Sequence, residues 1–285
     1  MPTKSLALKY DVFVAPELPF NAPKRVANSD PPAWDPKTAT LIFGERDAVL
    51  VDALATVREA TALADWIELH DRRLTTIYIT HGHGDHYLGL SVVLDRFHGA
   101  RAVATAGTVE QMRKGSNPKA LDEGFRKWFP GQLSDTVVLA DPLDSSQFDI
   151  EGCLLHVIET GHTDAPDSTS LHVPDLDLIV SGDVAYNRCH MFLAQTTPES
   201  RGNWMAALDR LAALKPTAVV TGHKDPIQGN PPTVIDDSRA YIEFYDKQCS
   251  AGLGDQELFD AMVTRYPDWV SRQEFLILPG LLAKR

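Results

Sequence analysis

The chain has 285 residues, of which 44% are hydrophobic and 23% are charged, and its formal net charge at pH 7 is −12. This composition is typical of a globular protein that is long enough to bury a large core. The acidic balance argues against nucleic acid and against an anionic membrane as partners, since both attract a basic face. No apolar stretch has the length of a membrane span or a signal peptide, so we expect a cytoplasmic protein.

The first half of the chain alternates strands and helices around one long interruption. Residues 15–36 contain six prolines, which exclude a helix or a central strand there. A loop of this length is usually functional, so we predict a flap on the substrate side, with a linker packed on the surface as the alternative. Hydrophobic periodicity elsewhere predicts strands at 7–14, 38–44, 48–52, 74–80 and 101–105, and helices at 56–70, 87–97 and 107–128. A turn signal at 115–118 interrupts the last of these helices.

The second half begins with short strands and ends with helices. The predicted strands are 136–140, 147–150, 153–159, 169–173, 177–181 and 217–221, and the predicted helices are 203–214, 234–248 and 255–265. Two successive halves that are both rich in strands and in helices favour two sheets packed face to face, with helices outside. We therefore predict an α+β fold.

A cluster of metal-ligand residues follows the predicted strand 74–80 directly. Residues 81–86 have the sequence HGHGDH, in which imidazoles and a carboxylate suit zinc, iron or manganese. The two glycines allow the backbone to turn tightly around an ion. His81 and His83 are two residues apart and should hold one ion, whereas the adjacent Asp85 and His86 diverge and should serve a second. The alternative is a surface loop that is merely rich in histidine.

Three later strands end in the same way, with a glycine and then a residue that can bind metal. The three pairs are Gly161-His162, Gly182-Asp183 and Gly222-His223. Each pair alone is common, but together with the HGHGDH segment the pairs form one consistent set of ligands. The sequence therefore predicts a metal site to which distant parts of the chain contribute.

With these motifs in this order, residues 38–225 resemble the metallo-β-lactamase superfamily. The resemblance implies a four-layer αβ/βα sandwich over residues 1–285 as a single domain, with a mainly helical extension at 234–285. It also implies two divalent metal ions, zinc as the first expectation and iron or manganese as alternatives. The implied ligands are His81, His83 and His162 for the first ion, Asp85, His86 and His223 for the second, and Asp183 as the bridge.

The resemblance further implies a metal-dependent hydrolase. Two divalent ions lower the pKa of a shared water, and the resulting hydroxide attacks a carbonyl carbon. Asp183 at the bridging position, instead of cysteine, resembles the lactonase and glyoxalase II-like branches more than the zinc β-lactamases. We expect a lactone as the substrate, then a lactam or an ester, with Asp85 and Asp183 in catalysis. Tyr186 is expected to donate a hydrogen bond to the developing oxyanion, unless it packs under the loop.

Other functions remain open at this point. A glyoxalase II-like thioesterase is one alternative, although basic residues are scattered among acids in the helical tail. Another is an oxidoreductase of the persulfide dioxygenase type, which would hold one iron through His81, His162 and Asp183. A third is a metal-stabilised binding protein without turnover. Asp164 is a candidate hydrogen-bond acceptor for a ligand imidazole, and Lys224 a candidate partner for a substrate carboxylate. The flap and the apolar C-terminus would be the surfaces of a homodimer.

Overall fold

The computed structural model describes residues 8–20 and 26–278. The strands are β1 (Lys9–Ala15), β2 (Leu18–Pro19), β3 (Ala33–Trp34), β4 (Lys37–Phe43), β5 (Asp47–Val51), β6 (Arg73–Tyr78), β7 (Arg101–Ala104), β8 (Asp141–Pro142), β9 (Gln147–Ile150), β10 (Cys153–Gly161), β11 (Ser168–Val173), β12 (Leu178–Asn187) and β13 (Ala218–Lys224). The helices are α1 (Val57–Glu68), α2 (Gly84–Tyr87), α3 (Leu90–Arg96), α4 (Ala106–Gly115), α5 (Pro118–Glu123), α6 (Phe125–Trp128), α7 (Pro198–Ala213), α8 (Val234–Ser250), α9 (Asp255–Arg265) and α10 (Glu274–Ile277).

One continuous sheet forms the centre of the molecule. Its strands follow the order β8-β7-β6-β5-β4-β13-β12-β11-β10-β9, and β1 pairs with β4 off this path. β4 and β13 are joined through the pair His223 and Lys37, so two halves of the sheet meet at this junction. Within the halves, β5, β6, β7 and β8 run parallel to one another, as do β12 and β13.

Three hydrophobic clusters show how the layers pack. One cluster joins residues of β4 to β7, such as Val49 and Tyr78, to residues of β10 to β13, such as Leu171 and Val220. The two halves of the sheet therefore face each other across this cluster. A second cluster packs α1, α3 and α4 against the first half, and a third packs α7, α8 and α9 against the second half. The predicted α+β sandwich of four layers is confirmed.

Three predicted elements differ from the structure. The strand predicted at 136–140 is irregular chain, although Val137 and Val138 pack against the core. The helix predicted from residue 203 begins at Pro198 instead, because Thr197 caps it there. Its first turn is polar, so hydrophobic periodicity does not detect it. The strand predicted to end at residue 181 continues through irregular register to Asn187.

The proline-rich segment 15–36 is anchored to the body in its described part. β2 pairs with β3, Leu18 opposite Trp34. Phe20 and Trp34 are both buried and belong to the cluster that packs α7 to α9. Residues 21–25, part of the predicted flap, lie outside the described residues, as do residues 279–285 of the apolar C-terminus. Within 8–20 and 26–278, every helix is too short or too polar to cross a lipid bilayer.

We expect Lys37→Met to lower the free energy of unfolding by about 3–5 kcal/mol, because it leaves a buried carboxylate without its cation. Lys37 Nζ lies 2.8 Å from Glu59 Oε1, and the two side chains are 1% and 7% exposed. Urea denaturation measures the change. Lys37→Met combined with Glu59→Gln should recover part of the loss, since glutamine still completes the helix cap of α1. Arg73→Ala, which breaks an exposed ion pair, is the control; equal losses in both single variants would contradict the expectation.

Candidate metal centre

Residues that can bind metal meet at one edge of the two sheet halves, in two buried groups. The segment after β6 contributes four of them, the turn after β10 contributes one, and β12 and β13 contribute the others. The first group is His81, His83, Asp164 and Asp183, and the second is Asp85, His86 and His223. In each group, one ligand atom per residue lies within 4.8 Å of every other.

Asp183 lies between the two groups and reaches both. Its Oδ2 is 3.7 Å from His81 Nε2 in the first group and 3.2 Å from His223 Nε2 in the second. Its Oδ1 is 3.4 Å from His86 Nε2. Asp85 Oδ2 completes the second group at 3.4 Å from His223 Nε2. The Asp183 carboxylate therefore has the position that a bridging ligand requires.

The residues present fit a pair of divalent cations. Three buried atoms that point into the groups, His81 Nε2, His86 Nε2 and Asp183 Oδ1, have no hydrogen-bond partner in the described structure. Buried polar atoms are normally paired, so this concentration of unpaired ones calls for a ligand. A side chain at Gly222 would collide with Asp183 Oδ1, which explains why only glycine fits there. Imidazole and carboxylate together suit zinc, iron or manganese.

A surrounding layer of hydrogen bonds fixes the orientation of these side chains. Asp52 Oδ2 lies 2.8 Å from His86 Nδ1, and Trp34 Nε1 donates to Asp85 Oδ2 at 2.8 Å. His223 Nδ1 lies 3.1 Å from the carbonyl oxygen of Pro36. Such partners hold a ligand imidazole in one tautomer and one orientation. Sequence reasoning missed both Asp52 and Trp34; the only signal at Asp52 was an aspartate directly after a buried strand.

Asp164, and not His162, joins the first group. Asp164 Oδ2 is 2.9 Å from His83 Nδ1 and 3.6 Å from His81 Nε2, and its side chain is fully buried. His162 is half-buried and belongs to neither group. The chain turns after Gly161, which has a φ of 78°, and the amide of Thr163 donates to the carbonyl of Ala165. Asp164 lies in the middle of this turn and so reaches the centre, where the sequence had predicted His162.

Tyr186 contacts two residues of the centre, Asp183 and His223. Its hydroxyl donates to Asp183 Oδ2 at 3.0 Å, and its ring stacks on that of His223 with centroids 5.4 Å apart. The side chain is completely buried and is not part of the cavity wall. The predicted role towards a substrate oxyanion stays a prediction; in the structure β12 continues past Gly182, and the ring lies beside His223.

The charge states of two central groups suit metal binding. Burial, and then the neighbouring His86, lower the pKa of His81 to about 4, so its imidazole is neutral at neutral pH. A neutral imidazole is the form that binds a metal. Burial alone would raise the pKa of Asp183, but the imidazoles of His223 and His86 outweigh it and hold that pKa well below its ordinary value. Asp183 is therefore a carboxylate.

A cavity of about 100 Å³ opens directly onto both groups. Its polar side is formed by ligand residues of both groups together with Asp35 and Gln195, and its apolar side is mainly aromatic. The aromatic wall, as we call it, consists of Trp34, Phe125, Trp128 and Phe192. Lys224, a candidate partner for a substrate carboxylate, points elsewhere: its ammonium group donates to Gly229 and Asn230.

The sequence profile of the Metallo-beta-lactamase superfamily matches residues 32–223, which is well over half of the chain. The chain therefore belongs to the metallo-β-lactamase superfamily. Members of this superfamily are generally hydrolases, and the two buried groups suit divalent metals. No curated protein sequence is significantly similar to this chain.

Solved structures show the same fold at low sequence identity. A metallo-beta-lactamase from Pontibacter korlensis is 17% identical with a TM-score of 0.59, covering 85% of this chain and 97% of its own. A metallo-beta-lactamase family protein from Thermus thermophilus is 18% identical with a TM-score of 0.58, covering 93% and 92%. The DIM-1 metallo-beta-lactamase, in a crystal exposed to ceftazidime, is 15% identical with a TM-score of 0.59, covering 84% and 99%. Such similarity establishes the fold alone.

Proposed function

We propose that the protein is a dinuclear metal-dependent hydrolase that cleaves a small acyl compound, a lactone first and a lactam or ester next. The observation that carries the proposal is the position of Asp183, whose carboxylate reaches His81 in the first buried group and His223 in the second. Two divalent ions held there supply Lewis acidity towards a carbonyl oxygen and a water molecule whose pKa lies near neutrality. Zinc is the first expectation for both sites, with iron and manganese as alternatives.

The proposed ligand set differs from the predicted one at a single position. We propose His81, His83 and Asp164 for the first ion, Asp85, His86 and His223 for the second, and Asp183 as the bridge. The exchange of His162 for Asp164 replaces a neutral ligand with an anionic one. The first site therefore carries one more negative charge than the resemblance implies.

The chain's own residues then position the reacting groups. The hydroxyl of Tyr186 and the ring stacked on His223 hold Asp183 and His223 in place, which makes Tyr186 a positioning residue. The indole of Trp34 fixes Asp85 through its N–H while its ring forms part of the aromatic wall. A ring of the substrate held against that wall would exclude water and place a carbonyl over the ligand residues.

The rival functions fit these observations less well. A single-iron oxidoreductase would leave the second buried group, Asp85, His86 and His223, without a purpose. A glyoxalase II-like thioesterase would need basic groups to bind the carboxylates of glutathione. The described wall of the cavity contains acids and aromatic rings, with neither lysine nor arginine.

Metal analysis beside a substrate panel tests the proposal. Protein purified without chelator should contain about two divalent ions per chain and should hydrolyse a lactone faster than matched lactams, esters and thioesters. Removal of the ions with a chelator should stop hydrolysis, and added metal should restore it. One iron per chain, oxygen uptake and no hydrolysis of any panel member would replace the proposal with the oxidoreductase.

A further inference from the structure

The aromatic wall and the acids opposite it restrict what the cavity can bind. Its four rings line a space of about 100 Å³, which suits a single ring of a ligand more than an extended chain. Trp34 and Trp128 pack together with centroids 5.4 Å apart, and Phe125 lies within 5.4 Å of both. Three of the four rings therefore form one packed aromatic surface, and the fourth, Phe192, lies against the ring of His83 with centroids 5.6 Å apart.

The carboxylates in and around the centre carry more negative charge than two divalent ions would neutralise. Two divalent cations bring four positive charges, and Asp85, Asp164 and Asp183 offset three of them. Two further buried carboxylates contact the Nδ1 atoms of ligand imidazoles. Asp52 Oδ2 lies 2.8 Å from His86 Nδ1, and Asp35 Oδ2 lies 3.5 Å from His223 Nδ1. The centre with its neighbours is thus net negative even with both ions bound.

Asp35 is the one of these additional acids that forms part of the cavity wall. It is 2% exposed, and its Oδ1 has no hydrogen-bond partner in the described structure. Its nearest lysine, Lys37, approaches the backbone carbonyl of Asp35 at 3.5 Å and forms its ion pair with Glu59.

We propose that this cavity selects uncharged or cationic substrates that carry one ring and rejects anionic ones, and that Asp35 sets this selectivity. The inference rests on the proposed function for the reaction, but the binding preference stands on the cavity alone. Like charges brought together in a buried site repel each other strongly, so an anion is excluded. A cation, in contrast, is attracted by these acids and by the aromatic rings of the wall. The acids and the aromatic wall thus both favour a cation over an anion.

Binding of three probes that share a phenyl ring tests the selectivity. The probes are benzyltrimethylammonium, benzyl alcohol and benzenesulfonate, chosen because none is a strong metal ligand. Quenching of the tryptophan fluorescence, to which Trp34 and Trp128 in the wall contribute, reports binding independently of turnover. We expect the metal-loaded protein to bind the cation and the alcohol at least about tenfold more tightly than the sulfonate. Equal affinity for benzenesulfonate would overturn the proposal.

Asp35→Asn should reduce this discrimination to within about threefold, because it removes the charge and keeps the shape. Asp65→Asn, at an aspartate that is 62% exposed, removes the same charge from the surface and should leave the order unchanged. If the wild-type order persists in Asp35→Asn, Asp35 is not its cause. The metal content of both variants must equal that of the wild type, since Asp35 also lies near His223.

Kinetics with 4-(aminomethyl)phenyl, 4-methylphenyl and 4-carboxyphenyl acetates separate this inference from the proposed function. If none of the three esters or the lactone panel is hydrolysed but the binding order holds, the reaction proposal fails and the selectivity stands. If all three esters react with equal kcat/KM, the selectivity fails and the hydrolase stands. The expected result is the binding order repeated in KM, with Asp35→Asn raising the KM of the cationic ester.

Discussion

Asp183→Asn is expected to lower kcat/KM by about 10³-fold or more on any accepted substrate. The amide keeps the shape of Asp183 but removes the negative charge that lies within 3.4 Å of both His86 and His223. Loss of a ligand shared by two ions removes several kcal/mol of electrostatic stabilisation, and about 4 kcal/mol corresponds to a thousandfold change in rate. Metal content measured by mass spectrometry should fall below two ions per chain.

The matched control for this variant is Asp209→Asn. Asp209 is 70% exposed and pairs with Arg239 at the surface, so its charge is far less consequential. Circular dichroism should show that both variants retain the fold. Asp183→Asn with wild-type metal content and wild-type turnover would remove the basis of the dinuclear mechanism.

Asp164→Ala and His162→Ala are expected to have opposite consequences. Asp164→Ala removes a buried carboxylate 2.9 Å from His83 and should cost about one ion per chain and about 10²-fold or more in kcat/KM. His162→Ala changes a half-buried residue outside both groups and should keep full metal content and activity within about threefold.

The absorption spectrum of cobalt-substituted protein provides a second measurement for this pair, because it reports the ligands of the ion directly. Asp164→Ala should change the spectrum, and His162→Ala should not. The reverse ranking would make His162 the ligand, as the resemblance implied, and would show that the turn at 161–165 rearranges when an ion binds.

The parts of the molecule with local signals could be predicted from the sequence. The fold class and the order of most elements follow from hydrophobic periodicity, and the strand-end glycine motifs identified six of the seven residues in the two buried groups. A glycine that ends a strand next to a ligand residue is a short-range pattern. The pattern located Asp183 and His223 correctly, although β12 and β13 continue past their glycines, and it failed at His162.

The remaining features depend on contacts between distant residues. Whether His162 or Asp164 reaches the centre is decided by a turn whose conformation the residue types do not specify. Trp34 contacts Asp85 across 51 positions of the chain, and Asp52 contacts His86 across 34. Tyr186 is three residues from Asp183, yet its role depends on irregular strand pairing between β12 and β13. Periodicity carries no information about such pairs.

The ligands of the centre come from two different halves of the sheet, and this couples the stability of the fold to the supply of metal. His81 and His86 follow β6 in one half, whereas Asp183 and His223 belong to β12 and β13 in the other. A cation bound between them is a cross-link that exists only in the folded chain, so folding stability grows with the logarithm of free metal concentration. When metal becomes scarce, the unfolded population and its exposure to proteases rise together. The abundance of this protein would then follow the supply of the ion that its proposed activity requires.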